Sequence, residues 1–79
     1  MSVHVMYFGM LAEITGQASE AWLISDNLTV GKFRSQILEK YPALREKKFK
    51  IAVNKQISDD FMPISEQAEI ALLPPFAGG

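Results

Sequence analysis

The chain of 79 residues contains no cysteine, so disulfide bonds, thiol nucleophiles and cysteine-ligated zinc are excluded. It has a single histidine, His4, which provides neither a clustered metal site nor a Ser-His-Asp partner set, and we interpret it as an ordinary strand residue. The glycine-rich motifs that cradle nucleotide phosphates are also missing. A reactive group on this chain, and any metal or bound cofactor, is therefore not expected among its side chains.

Positive charge is scarce as well. Eight Lys and Arg against nine Asp and Glu give a net charge of −1, which lacks the electrostatic footprint of a nucleic-acid or anionic-lipid binder. No stretch approaches the roughly 20 apolar residues of a membrane span, and the first residues lack a signal-peptide pattern. We expect a cytoplasmic protein with no nucleic-acid and no membrane partner.

What is present is a well-mixed globular composition, with 48% hydrophobic and 22% charged residues. It predicts one folded domain rather than a disordered segment. A domain this small buries only about 60–65% of its unfolded surface, so a large internal substrate cavity is not expected.

Alternating apolar residues and turn signals predict strands at residues 3–8, 19–24, 51–53, 56–57 and 69–73, and a short helical turn at 10–16. The main helix should begin after the N-cap Thr29 and end at Pro42. Its apolar stripe consists of Val30, Phe33, Ile37, Leu38 and Tyr41. Residues 43–50 are predicted to be a solvated connection and residues 58–67 a surface loop. The order predicts an α+β fold in which one helix covers one face of a mixed sheet of about five strands.

One helix can shield only one face of the sheet, yet the first and last strands are apolar on both faces. We therefore predict an exposed apolar patch on the uncovered face, formed by Phe8, Ile57 and Leu73. Such patches on small domains usually mark partner-binding sites.

The last residues, Leu-Pro-Pro-Phe-Ala-Gly-Gly at 73–79, form the most distinctive stretch of the sequence. The two prolines end the strand ladder at Leu73 and stiffen an extended segment, so we divide the chain into a domain at 1–73 and a tail at 74–79. The tail can reach about 20 Å, roughly the depth of a protein active site. An ordinary frayed terminus is the alternative, but such termini are usually polar.

The carboxylate of Gly79 is the remaining candidate for chemistry. A C-terminal carboxyl has a pKa of about 3.3–3.7, so at neutral pH it is an anion and a poor electrophile that needs activation. The glycines at 78 and 79 would let the backbone enter a narrow channel. Phe76 is large enough to anchor the tail in a partner.

Four stretches carry a resemblance to a known family: Val5–Gly9, Leu11–Gly16, Ala52–Asn54 and Ala71–Gly79. With its Pro-Pro-x-x-Gly-Gly ending, the chain resembles the small, sulfur-carrying subunit of molybdopterin synthase nearly end to end. Relatives often carry an Asp-Gly-Asp turn where this chain has Ser65–Ala68, which leaves the geometry of that turn open.

The resemblance implies a ubiquitin-like β-grasp fold. It also implies that an ATP-dependent activating enzyme similar to the ubiquitin activators adenylates the Gly79 carboxylate. The carboxylate then becomes a thiocarboxylate and donates sulfur to a cyclic pyranopterin in the active site of a larger catalytic subunit. The chain would thus be the sulfur-donating half of a two-component sulfurtransferase, without catalytic side chains, and its tail residues Pro74, Pro75, Phe76, Ala77 and Gly78 would enter the partner.

Two other interpretations stay open. A thiamine-pathway sulfur carrier or a ubiquitin-like modifier would use the same Gly-Gly chemistry with another acceptor, although the Pro-Pro-Phe spacer argues against both. The chain could also be a β-grasp interaction module whose tail never reacts.

Overall fold

The computed structural model describes residues 2–75. Its five strands are β1 (Ser2–Tyr7), β2 (Ser19–Leu23), β3 (Lys50–Val53), β4 (Gln56–Ile57) and β5 (Glu69–Leu73). Its helices are α1 (Met10–Thr15) and α2 (Val30–Lys40), followed by a 3₁₀ turn at Pro42–Glu46. The predicted strands, short helical turn and main helix are confirmed. None of the helices within residues 2–75 is long and apolar enough to cross a membrane.

The strands form one mixed sheet in the order β2-β1-β5-β3-β4. β1 pairs with β5 in parallel, and the other neighbours are antiparallel. Lys50, the first residue of β3, lies opposite Leu73, the last residue of β5. The chain therefore leaves β5 at the end of the sheet where β3 begins.

The core lies between the sheet and α2. Alternate residues of β1 and β5 point toward the helix and are buried, as the two-residue period of a strand requires. On α2, Val30, Phe33 and Ile37 are fully buried at helical spacing, whereas Leu38 and Tyr41 are only partly buried. The predicted N-cap is confirmed, because the Thr29 hydroxyl accepts a hydrogen bond from the Lys32 N–H at 3.3 Å.

The prediction that residues 43–50 form a solvated connection is wrong for Leu44, which is fully buried. Pro42 ends α2, but its fixed φ suits the first turn of a new helix, and the Leu44 N–H donates to the Tyr41 carbonyl at 2.9 Å. The 3₁₀ turn directs Leu44 into the core while its charged neighbours stay exposed.

The prediction that residues 58–67 simply cross the surface is also wrong in part, because Ile64 is buried. Its N–H donates to the Leu28 carbonyl at 2.9 Å. The segment therefore packs against the start of α2 and closes one side of the core.

The same segment supplies acceptors to the first turn of α2, whose N–H groups have no partner within the helix. The Val30 N–H donates to the Met62 carbonyl at 2.9 Å and the Gly31 N–H to the Asp60 carbonyl at 3.0 Å. A Cβ at Gly31 would lie 3.0 Å from the Asp60 Cβ, so glycine allows this close approach.

The turn at Ser65–Ala68 closes with a hydrogen bond from the Ala68 N–H to the Ser65 carbonyl at 3.2 Å. Gln67 in this turn takes a φ of 62°, a left-handed conformation that glycine adopts at little cost. The chain thus keeps a tight turn here without a glycine.

Candidate functional site

The sheet face opposite α2 carries an open groove of about 400 Å³. Apolar side chains form most of it, with one lysine and one glutamate among the residues that line it. The lining residues are Met6, Phe8, Ala52, Lys55, Ile57, Glu69, Ala71 and Leu73. We call this feature the sheet groove.

Strand register produces the shape of the sheet groove. Ala71 lies between Met6 on one neighbouring strand and Ala52 on the other, and Ala52 lies opposite Ile57. These four residues form a row across the uncovered face, with the two alanines in the middle and larger side chains at the ends. The small side chains lower the centre of the row, which makes a trough rather than a flat surface.

The three residues predicted for the apolar patch, Phe8, Ile57 and Leu73, all line the sheet groove. Phe8 is 43% exposed and Ile57 57% exposed, while Leu73 is partly buried. Their predicted partner-binding role stays a prediction. Sequence reasoning missed the alanines in the middle of the row, because only the pairing of β3 with β5 brings them together.

The tail begins at the edge of this groove. Pro74 follows Leu73 and packs against Gly9, where an added Cβ would lie 3.2 Å from the Pro74 Cγ. Gly9 also has a φ of 59°, which favours glycine, so this position suits glycine for two reasons. Pro74 is partly buried and Pro75 is exposed. The predicted tail residues Phe76, Ala77, Gly78 and Gly79 lie outside the described residues.

On the helix side of the sheet, Glu20 is at the centre of a cluster of hydrogen-bonded polar side chains. Its carboxylate accepts hydrogen bonds from the Tyr41 hydroxyl at 2.7 Å, from Lys40 Nζ at 2.8 Å and from the Tyr7 hydroxyl. The Lys40 ammonium also lies 5.1 Å from the centre of the Trp22 ring. These contacts tie β1 and β2 to the C-terminal end of α2.

The electrostatics of this cluster favour the ionised carboxylate. Burial opposes ionisation, but the hydrogen bonds from Lys40, Tyr7 and Tyr41 lower the pKa of Glu20 to about 2. Burial and the hydrogen bond to Glu20 raise the pKa of the Tyr7 hydroxyl, which therefore stays neutral. Glu20 therefore carries its negative charge at neutral pH, beside the ammonium of Lys40.

The position of Glu20 on β2 is a sequence signal that points to this cluster. Glu20 and Trp22 share one face of β2, so a carboxylate had to face the helix. A charge on that face needs partners, and the tyrosines and Lys40 supply them. Within residues 2–75, no three His, Asp or Glu side chains come together in a way that could hold a metal ion.

Comparison with known proteins places the chain in a family. The ThiS family model matches residues 5–79, nearly the whole sequence. The chain belongs to the ThiS family. A relative from Caenorhabditis elegans, a molybdopterin synthase sulfur carrier subunit, is 32% identical, with 100% of this chain and 99% of the relative covered.

Solved structures share the fold of this chain. A chain from the complex of subunits 1 and 2 of the Helicobacter pylori molybdopterin-converting factor is 28% identical, with a TM-score of 0.70 and full coverage of both chains. A Pyrococcus furiosus protein assigned as molybdopterin converting factor subunit 1 has a TM-score of 0.90 at 17% identity, with 96% and 99% coverage.

A ubiquitin from Caldiarchaeum subterraneum also matches, with a TM-score of 0.64 at 15% identity, covering 100% of this chain and 98% of the ubiquitin. Together with the five-stranded mixed sheet, this likeness confirms the predicted α+β, ubiquitin-like β-grasp fold.

Proposed function

We propose that this protein is the sulfur-carrier small subunit of molybdopterin synthase and acts within a sulfur-transfer enzyme complex. The observation that carries the proposal is the match to the C. elegans sulfur carrier subunit at 32% identity, which spans all of this chain and 99% of the relative. The Pro-Pro-x-x-Gly-Gly ending and the apolar groove beside Pro74 are consistent with it.

In the proposed chemistry, the Gly79 carboxylate attacks the α-phosphate of ATP on an adenylating enzyme and releases pyrophosphate. A sulfur nucleophile then displaces AMP from the acyl-adenylate, which leaves a thiocarboxylate at Gly79. Both steps require the carbonyl to be sheltered from water inside the partner. The tail supplies the reactive end, and the enzymes supply the ATP site and the catalytic side chains.

The thiocarboxylate next delivers its sulfur to a cyclic pyranopterin in the larger subunit. We propose that the sheet groove docks on that subunit through Phe8, Ile57 and Leu73. Pro74 contacts Gly9 at the edge of the groove, so a protein seated there would meet the start of the tail. The residues from Pro74 and Pro75 through Phe76, Ala77 and Gly78 would then extend into the partner's active site.

The test incubates the purified full chain with the adenylating enzyme, ATP and a sulfur donor, and follows its intact mass. Sulfur loading replaces one oxygen of the Gly79 carboxylate with one sulfur, and adding the larger subunit and the pyranopterin should restore the original mass as product forms. A chain lacking Gly79 is the control, because terminal residues of a domain generally contribute little to its stability and the removal of one should leave the fold intact.

The same experiment separates the alternatives. A loaded carrier that converts only a thiazole precursor indicates the thiamine pathway, and conjugates to lysines of other proteins indicate a ubiquitin-like modifier. A chain whose mass never changes with an active adenylating enzyme is an interaction module. The cytoplasmic location and the division at residues 73 and 74 stay predictions.

A further inference from the structure

A second depression, of about 270 Å³, lies beside α2 and the 3₁₀ turn. Four of the chain's eight Lys and Arg residues line it: Arg34, Arg45, Lys47 and Lys48. Because the net charge of the chain is −1, this concentration makes a locally positive site on a protein that is slightly negative overall. We call it the basic pocket.

The rest of the basic pocket is apolar. Leu44 is fully buried, and Leu38 and Phe49 are partly buried and pack against the core. The pocket therefore presents cationic groups next to a hydrophobic surface, a combination suited to a ligand that carries both an anionic and an apolar group.

Only one of the four cations has an ionic partner within the part of the chain that the structure describes. Arg34 Nη2 lies 3.2 Å from Asp60 Oδ1, and the Arg34 guanidinium lies 5.6 Å from the centre of the Phe49 ring. The other ion pair of this part joins Lys40 to Glu20, neither of which lines the pocket. Arg45, Lys47 and Lys48 are exposed and free to meet external carboxylates.

The position of the basic pocket relates it to the tail. Lys47, Lys48 and Phe49 directly precede β3, and the first residue of β3 lies opposite Leu73, the last residue of β5. Because the two strands are antiparallel, these pocket residues stand at the end of the sheet from which the tail departs. A protein that receives the tail will face them.

We propose that the basic pocket binds an acidic segment of the larger subunit that accepts the tail, so the inference rests on the proposed function. Asp or Glu carboxylates of that segment contact Arg45, Lys47 and Lys48, and an apolar side chain covers the exposed parts of Leu38 and Phe49. The apolar half of the pocket favours a peptide over a bare phosphate, which would use only the cations. The net charge of −1 disfavours a polyanion such as RNA.

The first test measures Kd for the larger subunit with Lys48→Glu and Arg45→Glu, against Lys32→Glu as the matched control. Lys32 is an exposed lysine on α2 that lines neither the sheet groove nor the basic pocket. Each pocket variant should raise Kd about tenfold at low salt, with a smaller effect at high salt, because exposed charge pairs are screened. The control should change Kd less than about twofold.

A second test identifies the occupant directly. A carbodiimide that joins amines to carboxylates with no added spacer should link Lys47 or Lys48 to an Asp or Glu of the larger subunit, and peptide mass spectrometry locates the bond. Cross-links to Lys32 at the same frequency would overturn the proposal.

The outcomes separate this inference from the function on which it rests. If the wild type binds the larger subunit and transfers sulfur, but the pocket variants bind like Lys32→Glu, the basic pocket proposal fails alone. A wild type that neither loads sulfur nor binds that subunit removes both. Binding of a single-stranded RNA 20-mer or of anionic phosphatidylserine vesicles that is lost in Lys48→Glu, with unchanged binding to the larger subunit, also overturns it.

Discussion

Removing the Phe8 side chain tests the sheet groove most directly. Phe8 is 43% exposed in the free chain, and a phenylalanine side chain offers roughly 200 Å² of surface. A partner seated in the groove can therefore cover about 90 Å² of Phe8 that is exposed in the free protein. At about 25 cal/mol per Å², Phe8→Ala should cost about 2 kcal/mol of binding free energy, which raises Kd about 30-fold.

Phe8→Asp should weaken binding further. The carboxylate is hydrated in the free protein and loses water on docking against an apolar partner surface. Leu73→Asp should act in the same direction, because Leu73 also lines the groove, beside Phe8 at the end of the neighbouring strand. Both variants should fold, because Phe8 is 43% exposed and Leu73 retains an exposed portion into which a charged group can turn.

Phe61→Ala is the matched control for Phe8→Ala. Phe61 is 89% exposed and does not line the sheet groove, so the same chemical change occurs at a surface the proposal does not use. Calorimetric titration of the larger subunit with each variant gives Kd, and urea denaturation gives the free energy of unfolding. Equal Kd changes for the two phenylalanines, or unfolding of Phe8→Asp, would show that the groove is not the docking surface.

Three further predictions concern the core, the Glu20 cluster and the tail. Ile37→Ala should lower the free energy of unfolding by about 2–5 kcal/mol, because Ile37 is fully buried, and a loss below about 1 kcal/mol in urea denaturation would contradict that burial. Because the pKa of Glu20 lies at about 2, below its ordinary 4.5, Glu20 stabilises the fold above about pH 4.5 and this contribution is lost as the pH falls toward 2. Glu20→Gln should therefore be less stable than the wild type at pH 7 and approach it at pH 3, and a constant difference between the two denaturation curves would refute the assigned pKa. One residue added after Gly79 should abolish sulfur loading without changing stability, and loading with that residue still attached by mass would exclude chemistry at the Gly79 carboxylate.

Local signals in the sequence predicted most of the fold. The β3–β4 hairpin follows from Asn54 and Lys55, which take φ values of 50° and 72° in a turn that needs positive φ at both positions. The α2 stripe follows from helical spacing, and its N-terminus from Thr29. In each instance, the residues that determine the structure lie within a single element or directly beside it in sequence.

The missed features depend on contacts between distant segments. Leu44 and Ile64 lie in short segments that have neither helical nor strand periodicity, so no pattern in the sequence revealed their burial. The groove alanines, Ala52 and Ala71, carry little hydrophobic signal and become neighbours only through the pairing of β3 with β5. The patch residues Phe8, Ile57 and Leu73 could be predicted because large apolar side chains on the uncovered face are conspicuous.

The proposed chemistry also limits how tightly any partner should hold this chain. The Gly79 carboxylate has to enter the adenylating enzyme first and the larger subunit second, so the first complex must dissociate within each cycle. With an association rate of about 10⁶ M⁻¹ s⁻¹, a Kd of about 1 μM corresponds to release about once per second, whereas a Kd of about 1 nM would hold the carrier for many minutes. The sheet groove is open, Leu73 in it is partly buried, and the charges at the basic pocket are screened by salt. These features suit a Kd nearer to about 1 μM than to about 1 nM. Specificity then comes from the requirement that groove, basic pocket and tail engage the larger subunit together.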